Sequence, residues 1–372
     1  MRSVRAVPFL PFLFLAVAGV LVAGDTVADD WPHLRGPSYD GRTSAPGVFK
    51  KGAGLDVVFK IPIGSGYSGI AVAGGTAVTA FAEGDNDWVV AFDGKTGKEK
   101  WRQRLGAFTL GIDGAHDGPL STPVIGADTV YALASDGRLV ALAAKDGSVR
   151  WEKKLDEALG ANRPFFGFTT TPILVDGILV VQAGGAEGKA LVGLNGRDGK
   201  VLWTLGDDEV EYQSPAAAKL ADRMQVVAFS AKRIVGVAPD SGEMLWEHPL
   251  DEDDRAGSSL PTFIDGDRFA VSVSGELRAY RVTGSAEGYG VEELYRSSAL
   301  GRNYVPPVYH DGHLYGFRGQ VLTCASADDG ERVWRSREPG GDGLLLVDDH
   351  LVIFASKGNV VLAKATPEGY TE

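Results

Sequence analysis

The sequence predicts an all-β protein: a β-propeller of four-stranded antiparallel blades, seven in number with eight as the alternative. Three observations carry this expectation. Glycine is followed four residues later by tryptophan five times, at Gly97–Trp101, Gly147–Trp151, Gly199–Trp203, Gly242–Trp246 and Gly330–Trp334. Between these copies the same punctuation recurs: a proline-led strand, an Asp-Gly type turn, a second strand, then an apolar strand running into the next Gly/Trp signature. No stretch beyond residue 24 carries a sustained 3.6-residue apolar period, and the apolar residues are mostly β-branched, as pleated sheet favours. Units of 40–50 residues with four short strands each cannot bury a core alone. Radial repetition packs each on the next and removes the exposed sheet edges.

In chain order, the first element is an export signal. Arg2 and Arg5 precede an apolar run from Val7 to Val22, interrupted by Pro8 and Pro11 and followed by Ala23 and Gly24. That is the layout of a secretory signal peptide, and the run falls short of the roughly 20 residues a membrane span needs. Cleavage is expected after Gly24 or Ala28, leaving an exported protein, periplasmic or extracellular, with no stable membrane insertion. No cysteine stands there to accept a lipid. Losing residues 1–24, with two arginines and no acid, takes the net charge from −12 to −14. Such a surface repels a phosphate backbone on average, which argues against nucleic acid as a partner. Cys324 is the one cysteine, so no intramolecular disulfide forms. Residues 25–54 read as an N-terminal extension, 55–366 as a single propeller domain and 367–372 as a tail.

Six blades are expected near 69–105, 121–155, 169–205, 213–250, 259–297 and 304–337. Thr122-Pro123, Thr171-Pro172, Ser214-Pro215, Leu260-Pro261 and Pro306-Pro307 lead into the blades after the first. A proline at the start of a strand costs no ladder bond. Asp176-Gly177, Asp265-Gly266 and Asp311-Gly312 are hairpin turns in which glycine supplies positive φ. Six residues before each signature glycine stands a small residue: Ala91, Ala141, Gly193, Gly236 and Cys324. A degraded copy has Leu277-Arg-Ala-Tyr280, with Tyr295 in the tryptophan place. The seventh unit, 344–363, stops one strand short. The segment 55–63, with Phe59 in the tryptophan place, is expected to complete it by pairing 56–61 with 360–365. Trp101, Trp151, Trp203, Trp246 and Trp334 are expected to be buried structural residues that dock each outer strand on its neighbour.

The run Ala91-Phe-Asp93-Gly-Lys-Thr96-Gly97-Lys-Glu-Lys-Trp101 resembles the A-x-D-x-x-T-G-x-x-x-W motif of the pyrroloquinoline-quinone-like (PQQ-like) repeat. That repeat builds the propellers of quinoprotein dehydrogenases and of the outer-membrane assembly factor BamB. In the other copies Ala143, Asn195, Ala238 and Ser326 replace the early Asp. Asp30-Trp31-Pro32-His33-Leu34-Arg35-Gly36-Pro37, leading to Asp40-Gly41, resembles an opening common among exported PQQ-like repeat proteins. The resemblance implies, for the dehydrogenases, a quinone and a calcium ion on the axis beneath a disulfide of adjacent cysteines. With one cysteine that lid cannot form, so PQQ with calcium is not expected, nor is any other cofactor. The lipid-accepting cysteine of the assembly factor is also missing. What remains is a non-enzymatic binding or scaffolding module, expected to be a monomer, for an unknown protein or small-molecule partner. The alternative is an enzyme using the axial funnel, either a degenerate quinoprotein oxidoreductase or a propeller lyase or hydrolase.

No nucleophile elbow, P-loop or zincin motif is present, so no catalytic residue is assigned. His310 and His313 flank a turn without a third ligand, and no metal site is expected. The connections leading into the inner strands gather at one channel mouth, and loops on a rigid scaffold are where binding resides. They bring His116, Arg163, Phe166, Tyr212, Arg255, Arg302 and Tyr304 as candidate ligand-binding residues. Arginines from separate blades suit a carboxylate or phosphate.

Overall fold

The computed structural model describes residues 30–49, 54–111, 117–185, 187–209, 211–254, 259–301 and 304–372. The export signal expected in 1–24, and His116, Arg255 and Arg302, lie outside the described residues. Seven four-stranded sheets form a propeller. Blade 1 comprises Ala71–Ala73, Thr76–Glu83, Asn86–Asp93 and Glu99–Ala107. Blade 2 comprises Val124–Ile125, Thr129–Leu133, Arg138–Ala143 and Val149–Lys154, followed by the short helix Leu155–Leu159. Blade 3 holds Ile173–Val175, Ile178–Gly185, Lys189–Asn195 and Val201–Leu205; blade 4 holds Ala216–Leu220, Arg223–Phe229, Arg233–Val237 and Met244–Pro249. Thr262–Phe263, Arg268–Val273, Glu276–Ser285 and Gly288–Ser297 make blade 5, and Val308–His310, His313–Arg318, Val321–Ser326 and Arg332–Ser336 make blade 6. In each the chain moves outward from the axis strand by strand, antiparallel throughout.

The signature spacing has a packing cause. Each small residue is the cross-strand partner of its own tryptophan, as in Ala91↔Trp101, Gly193↔Trp203 and Cys324↔Trp334, and the register shifts immediately after it. A Cβ on Gly193 would lie 2.2 Å from the Trp203 indole, so only a minimal side chain lets the ring lie across the third strand. The other face of the ring meets the signature glycine of the next blade. A Cβ on Gly242 would stand 2.6 Å from Trp203, and its φ of +74° independently favours glycine. The indole N–H groups of Trp101, Trp151, Trp203 and Trp334 donate across the blade boundary to the carbonyls of Ala144, Gly196, Pro239 and Thr366, each at 2.9 Å. Trp246 differs: blade 5 has no signature glycine, and its indole donates to Gln225 Oε1 and stacks on Phe269. Trp101, Trp203 and Trp246 are buried, while Trp151 and Trp334 are half-buried.

Near the axis a second relay joins the blades. The backbone N–H of Gly69 donates to Thr122 Oγ1, that of Thr122 to Thr171 Oγ1, and that of Thr171 to Ser214 Oγ, at 2.9–3.0 Å. The hydroxyl residues before the leading prolines of blades 2, 3 and 4 therefore receive the previous blade's backbone, giving partners to its amides.

Ring closure joins N- and C-terminal strands, but not those expected. Blade 7 consists of Gly341–Val347, His350–Ala355 and Val360–Lys364, completed at the axis by Arg42–Thr43, which lies parallel to Leu346–Val347. Residues 54–63 enter no sheet, so the pairing of 56–61 with 360–365 does not form. One reason is that the C-terminal residues fold back on that edge, where Lys364 N–H donates to the Thr371 carbonyl. Phe59 still sits where the preceding blade's tryptophan would, against Gly97 of blade 1.

Candidate functional site

The channel has two unlike mouths. The mouth formed by loops leading into the inner strands carries the residues singled out from the sequence. Phe166 and Tyr212, from the connections before blades 3 and 4, meet edge to face at 5.5 Å, and Phe165 packs on Phe166 at 5.0 Å. Phe165 is 74% exposed and Tyr304 82% exposed, so this rim presents aromatic surface to solvent. Arg163, two residues before Phe165 in the chain, is exposed. The structure thus brings Phe166 and Tyr212 together. Convergence of the arginines falls partly on residues outside those described. Nearby, Asp254 and Arg278 form a buried bidentate pair, with Nη1 donating to Oδ2 at 2.7 Å. The Arg278 guanidinium holds the Asp254 carboxyl below its ordinary range.

The opposite mouth, ringed by first hairpins, is crossed by residues 31–43. Trp31 pairs with Val72 of blade 1, and the Ile125 N–H of blade 2 donates to the Pro32 carbonyl. Tyr39 Oη donates to the Leu174 carbonyl of blade 3 at 3.2 Å. Arg35 reaches the far side, donating at 2.7 Å to the Pro307 carbonyl ahead of blade 6 and to the Asp40 carbonyl. Burial lowers the Arg35 pKa to about 10, and carbonyl oxygens, not a carboxylate, receive its protons. His33 stacks on Tyr39 at 3.9 Å, and burial lowers its pKa to about 4, so the ring is neutral near pH 7. Asp40 and Arg42 form an ion pair at 2.6 Å.

This segment divides the mouth into two open recesses. One, of ≈ 450 Å³, lies between Tyr39 and the inner strands of blades 3, 4 and 5; the other, of ≈ 410 Å³, borders blades 6 and 7. The hairpin turns read from the sequence, Asp176-Gly177, Asp265-Gly266 and Asp311-Gly312, lie on this side, where the sequence points to no candidate residue. The signal that could have placed the segment was the Trp31-to-Gly41 opening, legible as a motif but not as a location. Among the described residues no group of three His, Cys, Asp or Glu side chains is arranged to hold a metal ion, and no helix is long and apolar enough to cross a membrane.

Seven four-stranded blades, Gly/Trp signatures at the blade boundaries and the segment 31–43 laid across one mouth define a PQQ-like repeat propeller. A family profile described as "Outer membrane protein assembly factor BamB" matches residues 58–164 and 85–293, and the chain belongs to that family. Outer membrane protein assembly factor BamB of Yersinia pestis is 26% identical over 362 residues, covering 82% of this chain and 87% of its own. The protein of that name from Burkholderia pseudomallei (strain K96243) is 27% identical over 359 residues, covering 84% and 88%. The crystal structure of BamB from Moraxella catarrhalis superposes with a TM-score of 0.58 at 18% identity, over 80% of this chain and 82% of that one, a likeness of fold.

Proposed function

We propose that this chain is an exported, non-catalytic propeller that docks a protein partner in the assembly of outer-membrane proteins. The observation that carries the reading is the match, over most of both chains, to proteins named as outer-membrane assembly factors. The docking face is the loop mouth, where Phe165, Phe166, Tyr212 and Tyr304 offer aromatic area of the kind enriched at interfaces. Arg163 stands on the same loop as Phe165 and Phe166, and His116, Arg255 and Arg302 belong to the same set of loops. Export places the propeller in the compartment where such assembly occurs.

The test is genetic and biochemical. A strain lacking the gene should contain less outer-membrane barrel protein, restored by the wild-type chain but not by an equally abundant Phe166→Ala/Tyr304→Ala variant. Unchanged barrel protein in the deletion strain would sink the proposal. A quinone absorbance together with dye reduction, after adding quinone and calcium to the purified chain, would favour the enzymatic alternative.

A further inference from the structure

In blades 1 to 6 the second strand is covered on both faces, with unbroken buried runs at 78–82, 129–133, 179–183, 225–229, 269–273 and 314–317. Blade 7 differs. In His350–Ala355, Leu351 and Ile353 are buried against blade 6, whereas Val352 is half-buried and Phe354 is 47% exposed. Successive side chains of a strand point to opposite faces, so one face of this sheet is covered and the other is open. Leu345 and Leu362, the cross-strand partners of Val352, are half-buried on the same open face. On the blade 1 side of the seam stand residues 54–63. Those from 54 to 60 are exposed, Val57 at 83% and Val58 at 80%, and 55–63 make no backbone hydrogen bond to any described residue. Phe59 meets Gly97 as Trp101 meets Gly147: a Cβ on the glycine would stand 2.6 Å from the first ring and 2.5 Å from the second. The segment thus holds the place of an outer strand with no inner strands beside it among the described residues.

We propose that the seam between blades 7 and 1 docks a three-stranded antiparallel unit of another protein, which pairs one edge with residues 55–63 and lays an apolar face on blade 7. The position of Phe59 is what identifies the occupant as sheet. In blades 1, 3 and 6 the ring in that place lies over a small residue of the third strand, at Ala91, Gly193 and Cys324. Phe59 has its glycine from the next blade and lacks that third strand. Three strands are the complement, because every blade here has four and the outer place is already taken. The unpaired backbone of 55–63 is a template for strand addition, in which main-chain hydrogen bonds supply affinity and alternate side chains supply selectivity. Leu345, Val352, Phe354 and Leu362 supply the apolar wall against which such a unit packs. A second copy does not supply the unit, since each of its seven sheets is already four-stranded.

The site goes beyond the docking role proposed above, since it uses none of the aromatic residues of the loop mouth. The probe is a fluorophore-labelled peptide of residues 305–326 of this chain, the three inner strands of blade 6, carrying Cys324→Ala. Alanine is the small residue that blades 1 and 2 have at that place. Titrated against the mature chain by anisotropy, the peptide should bind saturably and slow hydrogen exchange at residues 55–63. Val57→Pro/Val58→Pro lies at exposed positions whose amides have no partner among the described residues. It should weaken binding roughly tenfold or more with melting temperature retained. Phe354→Lys should weaken binding from the other wall, and Phe166→Ala should bind as wild type. No saturable binding, no slowing of exchange at 55–63, equal binding of a peptide of the same residues in shuffled order, or indifference to both seam variants overturns the proposal. A chain that forms dimers lost in Val57→Pro/Val58→Pro assigns the seam to a second copy and overturns it as well.

Discussion

At the scale of single residues, blade boundaries rest on groups that serve two blades at once. Trp203 is covered on one side by Gly193 of its own blade and on the other by Gly242 of the next, and its N–H reaches Pro239. Trp203→Ala removes a buried aromatic and a boundary hydrogen bond together, so a loss of about 3–5 kcal/mol is expected in urea unfolding. Trp334→Ala, at a half-buried ring, should cost less, and equal losses would show that burial does not set the scale. Thr171→Val tests the relay near the axis. Valine keeps the shape but leaves the buried Thr122 N–H without its acceptor, at a cost of about 1–3 kcal/mol. A variant as stable as wild type would mean that water replaces the hydroxyl.

At the scale of elements, strands and turns were legible because each blade must solve the same packing problem with the same residue sizes. A small residue under the indole and a glycine over it leave a fixed spacing in the chain. The closing strand left no such trace. Arg42–Thr43 is two residues long, so it has no periodicity, and its parallel register depends on chain segments three hundred residues apart. The expected strand 55–63 had the right apolar pattern, and Phe59 does reach Gly97, but pattern alone does not report that the tail takes the partner edge. For the loop residues the sequence made legible only which blade connection each stands on, as for Phe166 and Tyr212. Which acid each arginine meets was not, as Asp254 and Arg278 illustrate. That pair fastens the loop before blade 5 to its third strand and yields a pH prediction. Arg278 depresses the Asp254 pKa in the folded state, so the pair's contribution is present above the unfolded carboxylate value of about 4 and is lost as pH falls through the folded value. Asp254→Asn leaves a buried guanidinium uncompensated. It should cost about 3–5 kcal/mol at neutral pH and flatten the acid limb of the stability profile. An acid limb of unchanged steepness would assign that dependence to other carboxylates.

At the scale of the whole molecule, the ring has one seam. Blades 1 and 2 share a buried apolar cluster, as do 2 and 3; one large cluster joins 3, 4 and 5, and two more join 5 to 6 and 6 to 7. Between blades 7 and 1 no such shared cluster occurs among the described residues; Ile61 packs on the blade 1 group of Phe81, Val90 and Phe92 instead. Closure therefore depends on residues 31–43, which touch blades 1, 2, 3 and 7 and, through Arg35, the strand leading into blade 6. Because these contacts act in parallel, Arg35→Ala should loosen one of them and cost about 1–3 kcal/mol, mainly the carbonyls left without donors. A chain beginning at residue 46 loses all of them and exposes the inner edge of Gly341–Val347. Local opening starts where buried contacts are fewest. Hydrogen exchange in the truncated chain should accelerate first in His350–Ala355 and Val360–Lys364 and in blade 1, with blades 3 to 5 keeping their protection. Uniform acceleration around the ring would show instead that the segment stabilises every blade boundary equally, and unchanged exchange at the seam would show that residues 54–63 suffice to hold it.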